Sequence, residues 1–437
     1  MNKLAIYFKQ AWNLIKQEKL FSSIYIIGTG LSITIVMVLS IVFYLKLANI
    51  YPETNRDRLL IVKYGIEKSK DSDNMNAAAL SYQTVETCFL NLKNAEAVTA
   101  IYNEWGSSDY YVQPAGSKEQ VPVGVMYVDT AFWKVFPFRY VEGKSFTSAD
   151  FQSGIPTAVI AESLAKRLFG TTEATGRQVS LNFRDYRVSG VVKDASFITS
   201  RVYAQLYIPY TIIPDYKGSF GIAGALGHMN VYILASSKKA VEKVKTEAIE
   251  NLAKYSQTFP NVEFSVLGQP DRQWQTILRF SSNESPDFTK SLWQYGFVFL
   301  ILLLIPAISL SGMTDSRMER RLAEMGVRRA FGAPTGALIR QIIYENFVFI
   351  FLGGLAGLIF SYLFVWLGRN WIMQIGQSFA AVPPEGVDVR LAPSMLLNFS
   401  VFGIALIVCF VLNLLSSLIP AWRASRREII FSLNAKP

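Results

Sequence analysis

The sequence predicts an α-helical membrane protein with four transmembrane helices and a large mixed α/β extracytoplasmic domain between helices 1 and 2. Three observations lead to this fold class. Four apolar stretches are long enough to cross a bilayer, which takes about 20 residues. Positive charge collects beside these stretches. The long segment between the first two is nearly neutral and has the residue pattern of a folded domain. Only 17% of all residues are charged, against about 25% in a typical soluble chain.

The predicted spans contain no charged side chain in their interiors, which makes buried core helices of a soluble protein a poor alternative. They are residues 20–46, 291–314, 346–368 and 391–422. The first span is longer than the 7–15 apolar residues of a signal peptide, and no convincing small-x-small cleavage site follows it. We therefore expect an uncleaved anchor. The absence of intramembrane charge argues against an ion-coupled carrier.

The charge distribution predicts the orientation, because Lys and Arg of short loops stay on the cytoplasmic side. Residues 1–46 carry five Lys/Arg and one acidic residue, whereas residues 47–290 carry 26 and 25. Six arginines lie in the loop 315–345, and three more in the tail 423–437. Residues 1–19, 315–345 and 423–437 are therefore predicted to be cytoplasmic, and 47–290 and the short loop 369–390 external. Both termini then face the cytoplasm in a multi-pass protein of the bacterial inner (plasma) membrane. Membrane topology explains the net charge of +10 better than nucleic-acid binding does, so no nucleic-acid partner is expected.

The external segment 47–290 alternates strand-like and helical patterns, which is typical of an α/β domain. The predicted strands, rich in β-branched and aromatic residues, are Leu59–Tyr64, Val121–Tyr127, Thr157–Ile160, Tyr186–Val192 and Val231–Leu234. The predicted helices are Tyr82–Leu92, Glu162–Phe169 and Lys238–Tyr255.

No residue pattern in this domain indicates catalysis or metal binding. The single histidine, His228, is interpreted as a surface or loop residue. The two cysteines, Cys88 and Cys409, fall in different compartments, so no disulfide or His/Cys metal site is expected. We therefore predict no catalytic, cofactor-binding or metal-binding residues and no enzymatic activity of the chain itself.

The cytoplasmic loop has an ordered helix–break–helix pattern. Residues Ala323–Phe331 are predicted to form a short amphipathic helix, Gly332 to cap it and Pro334 to end it. A second helix then begins at Thr335 or Gly336 and leads into span three. The residues alone leave two interpretations open: a positive-inside stop signal lying on lipid headgroups, or a docking element for another protein.

The sequence EMGVRRAFGAPTGALIRQIIYENFVFIFLGGLAGLIFSYLF, which begins at Glu324, closely resembles the signature of FtsX-type permeases. The tail from Pro420, PAWRASRREIIFSLN, is similar to the end of that family. Blocks of the external segment that begin at Val123, Ile155 and Gly176 resemble the MacB-like periplasmic core domain. The chain thus resembles the permease half of an ABC transporter of the MacB/FtsX family.

The resemblance implies a partner ABC ATPase, which would hold ATP and Mg, and a second permease subunit, either identical or paralogous. A G-x4-G-K-[ST] phosphate-binding motif is absent from the sequence, so the ATPase is expected on a separate chain. Membrane lipid, a periplasmic adaptor and an outer-membrane channel are further candidate partners. In this family the loop between spans two and three couples to the ATPase, and ATP-driven movement reaches the periplasmic domain. The residues assigned to coupling by motif are Glu324, Gly326, Arg328, Arg329 and Gly332.

Small residues spaced four apart predict close packing of helices in the membrane. They are Gly353, Gly357 and Ser361 in span three, and Gly28 and Ser32 in span one. Such residues are common in membrane helices, so chance placement is the alternative interpretation.

Four functions are compatible with this sequence. The first is export or extraction of an amphipathic substrate, such as a peptide, drug, lipid or lipoprotein, and the second is the related release of lipoproteins. The third is an FtsX-like signal transducer that activates an envelope enzyme without transport. The fourth, a membrane-anchored enzyme, is disfavoured by the absence of a recognisable site.

Overall fold

The computed structural model describes residues 12–104 except 14 and 18, 110–279, 285–298 and 327–368 except 329 and 333, with shorter pieces in 300–304 and 403–411. Two compact units divide the chain. One comprises Met1–Tyr44, Trp293–Ile372 and Leu391–Pro437, and the other comprises Leu45–Leu292 and Met373–Arg390.

Two long apolar helices belong mainly to the first unit. Helix α1 covers Lys19–Leu47 and helix α8 covers Thr335–Leu367. Within them, Ser22–Leu47 and Phe347–Leu367 are long and apolar enough to cross a membrane. The 26 residues of the first segment rise about 39 Å as a helix, more than a hydrocarbon core of about 30 Å. Most of the predicted spans 291–314 and 391–422 lies outside the described residues, so the fourfold crossing stays a prediction.

The second unit is built from short strands and helices. Its strands are β1 Leu59–Val62, β2 Gly65–Ser69, β3 Met75–Leu80, β4 Ala95–Tyr102, β5 Tyr110–Pro114, β6 Val121–Val123, β7 Val125–Val128, β8 Tyr140–Gly143, β9 Thr157–Ala161, β10 Gln178–Leu181, β11 Arg184–Val192, β12 Leu206–Pro209, β13 Leu226–Gly227, β14 Met229–Ala235, β15 Val262–Ser265 and β16 Asp271–Arg272. Its helices are α2 Tyr82–Cys88, α3 Phe132–Val135, α4 Ser148–Gln152, α5 Glu162–Phe169, α6 Val241–Ser256 and α7 Gln273–Leu278. Residues 288–298 are also helical, and the boundary between the two units falls within them, after Leu292.

These strands form one hydrogen-bonded path in the order β15-β2-β3-β14-β4-β7-β12-β9-β11-β10-β5-β6. Off this path, β1 pairs with both β14 and β16. The pairs β7–β12 and β9–β11 are parallel, and the others on the path are antiparallel. The second unit is therefore a mixed α/β domain, as the sequence predicts for residues 47–290.

Strand β1 is apolar at every position, without the alternation of apolar and polar residues found in a half-buried strand. All of its residues are buried, and successive side chains of a strand point to opposite faces of the sheet. Leu60 and Val62 pack into the core under α2 and α6. Leu59 and Ile61 pack into an aromatic core on the other face, with Phe132 and its neighbours. A strand covered on both faces reads as a continuous apolar run.

A third core lies around β9, β10 and β11, with α5 packed against it. Helix α5 has the predicted bounds and ends at Gly170, whose φ of +70° fits the left-handed cap that glycine favours. Helix α4 begins with a capping box in which Thr147 and Asp150 bond reciprocally to backbone N–H groups.

One predicted element is wrong in detail. The run Val121–Tyr127, predicted as one strand, is two strands separated by Gly124. The Gly124 carbonyl accepts hydrogen bonds from the backbone N–H groups of Gln205 and Leu206. After this break β7 pairs with β12 and β4, whereas β6 pairs with β5. Helix boundaries also shift: α6 begins at Val241 rather than Lys238, and α2 ends at Cys88 rather than Leu92.

Candidate coupling segment and helix-packing site

The described part of the segment 315–345 has the predicted break between two helices. The backbone N–H of Phe331 donates to Val327 O at 3.1 Å, the bond of a final helical turn. Gly332 follows with a φ of +86°, a conformation that glycine adopts without steric cost. Helix α8 then begins directly after Pro334 and runs for 33 residues. The predicted second cytoplasmic helix and span three are therefore one continuous helix.

This turn exposes apolar side chains beside a fixed cation. Phe331 is 88% exposed and Val327 is 45% exposed. Arg328 Nη1 donates to Gln341 Oε1 at 2.7 Å, which ties the short helix to the second turn of α8. An exposed aromatic next to an oriented arginine is a composition that protein interfaces favour.

Only two of the five residues assigned to coupling lie in the described part of the chain. Arg328 and Gly332 are part of the turn just described. Glu324, Gly326 and Arg329 lie outside the described residues. The assignment of all five residues to coupling therefore stays a prediction.

Helices α1 and α8 approach each other closely at glycines. A Cβ atom on Gly353 would lie 2.8 Å from Thr29 Cβ, and one on Gly357 would lie 2.7 Å from Gly30 O. The single O–H of Thr34 is shared between Gly30 O at 2.8 Å and Gly357 O at 3.2 Å. Tyr25 and Phe349 add an edge-to-face ring contact at 5.3 Å. This geometry is typical of small-x3-small interfaces, in which backbones approach because no side chain separates them.

The structure brings together only part of the predicted packing set. Gly353 meets α1 at Thr29, and Gly357 meets it at Gly30 and Thr34. The pair Gly30 and Thr34 is shifted by two residues from the predicted Gly28 and Ser32. Ser32 Oγ donates within its own helix to Gly28 O at 2.8 Å. Ser361 is buried and donates to Leu358 O.

Two buried carboxylates in the α/β unit hold the backbone. Burial raises the pKa of Asp129 to about 6, while hydrogen bonds from Thr99 and from the N–H groups of Ala100 and Phe132 lower it. Glu67 is fully buried and accepts hydrogen bonds from the N–H groups of Ile222, Ala223 and Ala225. All but one of these bonds, that from the Thr99 hydroxyl, come from backbone N–H groups, so both carboxylates hold backbone segments in place.

The single histidine lies between β13 and β14. His228 Nδ1 is 3.1 Å from Asn103 O, and its ring stacks on Tyr102 at 4.9 Å between centroids. Cys88 is a buried free thiol, and burial raises its pKa to about 12. Among the described residues no three His, Cys, Asp or Glu side chains cluster in a way that could hold a metal ion.

Family models match two parts of the chain. The MacB-like periplasmic core domain matches residues 22–251, and the FtsX-like permease C-terminal region matches residues 296–429. Because the first match alone covers more than half of the sequence, the chain belongs to the MacB/FtsX family of ABC transporter permeases. An ATPase domain is not evident in this chain.

Individual proteins similar to this chain are named as permeases. The uncharacterized ABC transporter permease YknZ of Bacillus subtilis (strain 168) is 24% identical over 298 residues, which are 67% of this chain and 68% of YknZ. The macrolide export ATP-binding/permease protein MacB of Aggregatibacter actinomycetemcomitans is 26% identical over 251 residues, 56% of this chain and 36% of that protein. The chain thus spans about a third of the length of the relatives named as ATP-binding/permease proteins.

Solved structures of external domains from this family are also similar. One is the extracellular domain of the noncanonic ABC-type transporter YknZ from Gram-positive bacteria. The match spans 42% of this chain and 88% of that domain, at 18% identity and a TM-score of 0.32. The periplasmic region of MacB from Actinobacillus actinomycetemcomitans covers 50% and 94%, at 18% identity and a TM-score of 0.33.

Proposed function

We propose that this chain is a permease subunit that couples ATP hydrolysis on a separate ATPase to movement of its extracytoplasmic domain. It pairs with a second permease subunit in the bacterial inner membrane, with both termini in the cytoplasm, and exports or extracts an amphipathic substrate. Relatives of this chain are ABC transporter permeases. In this arrangement ATP and Mg are held by the ATPase, and the permease transmits the movement.

The observation that carries the proposal is the turn at Gly332. It presents Phe331 and Val327 to solvent and leads without interruption into the 33-residue helix α8. A push on the turn would therefore be delivered to a membrane helix, because a continuous α-helix transmits displacement along its axis. The contact between Arg328 and Gln341 stiffens the turn against that push.

The test is recovery of the ATPase with affinity-tagged full-length chain from native membranes, with the ATPase identified by its mass. The variants Glu324→Lys, Gly326→Trp and Phe331→Ser should lose the ATPase while still inserting into the membrane. The matched control is Phe183→Ser, since Phe183 is also largely exposed, at 104% against 88% for Phe331, but lies in the extracytoplasmic domain. Wild-type recovery of the ATPase with all three loop variants would refute the docking role of this segment.

Reconstitution separates transport from the signalling alternative. With the ATPase and chain in proteoliposomes, amphipathic peptides, drugs or lipopeptides should stimulate ATP hydrolysis if the protein is a transporter. Stimulation only by an envelope hydrolase, with none of these substrates effective, would favour the FtsX-like transducer instead.

A further inference from the structure

Two tyrosine rings in the α/β unit form a corner that holds a lysine ammonium. Tyr82 is the first residue of α2, and Tyr216 lies in the loop between β12 and β13. Their rings meet edge to face, with centroids 5.4 Å apart and planes at 85°. Lys217 Nζ lies 5.4 Å from the centroid of the Tyr82 ring and 5.6 Å from that of the Tyr216 ring. A cation within about 6 Å of an aromatic centroid is attracted by the negative face of the ring. The corner therefore already holds one cation, which comes from the chain itself.

The two rings stand on a buried aromatic base. Tyr210 is 4% exposed, and its centroid lies 6.4 Å from that of Tyr82 and 5.4 Å from that of Tyr216. Phe151 of α4 meets Tyr210 edge to face at 4.9 Å. All four rings belong to the core under α2 and α6 or pack against it. Rings that are fixed in this way keep the shape of the corner without a ligand, which lowers the entropy that binding costs.

The loop that contains Tyr216 and Lys217 is held by two turns. The N–H of Tyr216 donates to Ile213 O at 3.2 Å. The N–H of Gly218 donates to Asp215 O at 2.9 Å, and a Cβ on this glycine would lie 2.5 Å from Asp215 Oδ2. Both bonds join residues three apart, as in β-turns. The Lys217 side chain, by contrast, is exposed and has a flexible four-carbon stem, so its ammonium can leave the corner while the rings stay in place.

Neighbouring carboxylates favour a cation at this place. Tyr82 Oη donates to Glu86 Oε1 at 3.4 Å. Burial raises the pKa of Tyr82 and of Tyr210. The carboxylates of Glu86 and Asp129 add to the rise of the pKa in both tyrosines. A negative charge that disfavours ionisation of a phenol also attracts a cation beside it.

We propose that Tyr82 and Tyr216, together called the tyrosine corner, bind the alkylated ammonium head group of an amphipathic ligand in place of Lys217. A quaternary ammonium has a full charge but no N–H to donate, so ring faces suit it better than carbonyl or carboxylate oxygens do. The half-buried ring of Phe151 offers apolar surface to the remainder of such a ligand. The inference rests on the proposed function for its purpose and deepens it by naming the class of substrate, cationic amphiphiles.

The test is binding of choline to the full-length chain in dodecyl maltoside, a detergent without an ammonium group. Saturation transfer to the N-methyl protons measures the affinity. The matched ligand is neohexyl alcohol, which has the shape of choline but no charge. We expect choline to bind about tenfold more tightly than the alcohol, because only choline has the charge that the rings attract. Equal affinities for the two ligands would overturn the proposal.

The variant Lys217→Gln distinguishes a binding site from a lysine that merely packs on tyrosines. Glutamine has no charge with which to occupy the corner, so choline no longer competes with an internal ammonium. The affinity for choline should therefore rise, by about threefold if the corner is free for a third of the time in the wild type. The control Lys243→Gln removes an exposed lysine of α6 with the same change of net charge and should leave the affinity unchanged. Unchanged or weaker binding in Lys217→Gln would contradict the assignment.

Two substitutions of Tyr216 examine the aromatic face itself. Tyr216→Leu keeps an apolar side chain without the ring and should weaken choline binding about tenfold, whereas Tyr216→Phe keeps the ring and the affinity. The control is Tyr111→Leu, at a tyrosine of β5 that is 44% exposed. Choline binding as in the wild type by Tyr216→Leu would refute the tyrosine corner. Should this variant have a lower Tm, Lys217→Gln decides the question, since its side chain is exposed.

Nanodiscs distinguish a lipid head group from a soluble ligand as the source of the ammonium. If a membrane lipid is the occupant, choline should bind more weakly in nanodiscs of phosphatidylcholine than in nanodiscs of phosphatidylethanolamine. A soluble occupant predicts equal affinities in both. Either result supports an ammonium site and identifies its source.

The last measurement links the tyrosine corner to the proposed function. In proteoliposomes that also contain the ATPase, hexanoylcholine should stimulate ATP hydrolysis, its uncharged analogue neohexyl hexanoate should not, and Tyr216→Leu should lose the stimulation. Absence of stimulation in a chain that binds choline would contradict the proposed function and leave the corner intact. Equal affinities for choline and neohexyl alcohol in a chain that still recovers its ATPase would contradict the corner alone.

Discussion

Thr34 on α1 and Gly357 on α8 are joined across the helix interface by a hydrogen bond from Thr34 Oγ1 to Gly357 O, 3.2 Å long. The bond forms because no side chain separates the two backbones at Gly30 and Gly357. Close approach therefore provides both dispersion contacts and a polar link inside the apolar unit.

Replacing Gly357 with leucine should force α1 and α8 apart, since even a Cβ would lie 2.7 Å from Gly30 O. We expect a loss of about 1–3 kcal/mol, the usual cost of overpacking, seen as a lower apparent Tm in detergent. The control is Gly336→Ala on the same helix, where a Cβ meets nothing within 4 Å. Equal Tm values for the leucine variant and wild type would contradict the packing.

Asp129 should make the extracytoplasmic domain less stable as pH rises. Its folded-state pKa is raised from 3.8 to about 6, so between these values the folded state holds a proton that the unfolded state has lost. Stability therefore falls as pH rises from about 4 to 6, by about 3 kcal/mol for a shift of this size.

The measurement for Asp129 is the urea midpoint of the domain by pulse proteolysis at pH 4.5 and pH 7. The isosteric variant Asp129→Asn does not titrate, so its midpoint should change less between the two pH values than that of wild type. The same pH dependence in both proteins would show that Asp129 is not the responsible group.

The β10–β11 hairpin carries a strained aromatic tip. Asn182 and Phe183 have φ values of +49° and +64°, and Phe183 has no burial to compensate. Phe183→Gly should stabilise the domain by about 1 kcal/mol, the cost of a left-handed non-glycine residue. Phe183→Ala removes the same ring but keeps the Cβ, so thermal unfolding should show the gain with glycine and not with alanine.

Glu67 should control the order of the loop 219–225. Glu67→Gln replaces one of two acceptor oxygens with an NH2 donor, so the side chain can no longer accept from all three backbone N–H groups. Each lost hydrogen bond is worth about 0.5–1.5 kcal/mol. Amide hydrogen exchange of Ala223 and Ala225 should therefore accelerate. Glu263→Gln, on the exposed side of β15, serves as the control and should leave these rates unchanged. Protected amides in Glu67→Gln would argue that the neighbouring strands hold the loop.

The sequence predicts those helices and strands whose residue pattern lies within a short stretch of the chain. Glu162–Phe169 has an acidic first turn and a terminal glycine, and α5 has these bounds. The break at Gly124 was missed because the residues on both sides are β-formers, and only pairing to different partner strands divides them. The alanine-rich strand β3 offered no β-branched pattern to detect.

The candidate sites also differ in whether a local sequence pattern predicts them. The turn at Gly332 was predictable because a glycine and a proline mark it locally. The face of α1 that contacts α8 was not predictable from the sequence. Gly28–Ser32 and Gly30–Thr34 have the same spacing, and only the contact with α8 shows which pair lies at the interface. The hydrogen bond from Gln273 Nε2 to Lys46 O joins residues 227 apart, a contact that no single-sequence pattern contains.

The pairing of β1 with β16 sets Leu60 directly beside Arg272, near the beginning and the end of the external domain. The chain thus leaves the domain next to where it entered, as in insertions that proteins tolerate well. Loops elsewhere in the domain could therefore be lengthened without separating its two ends.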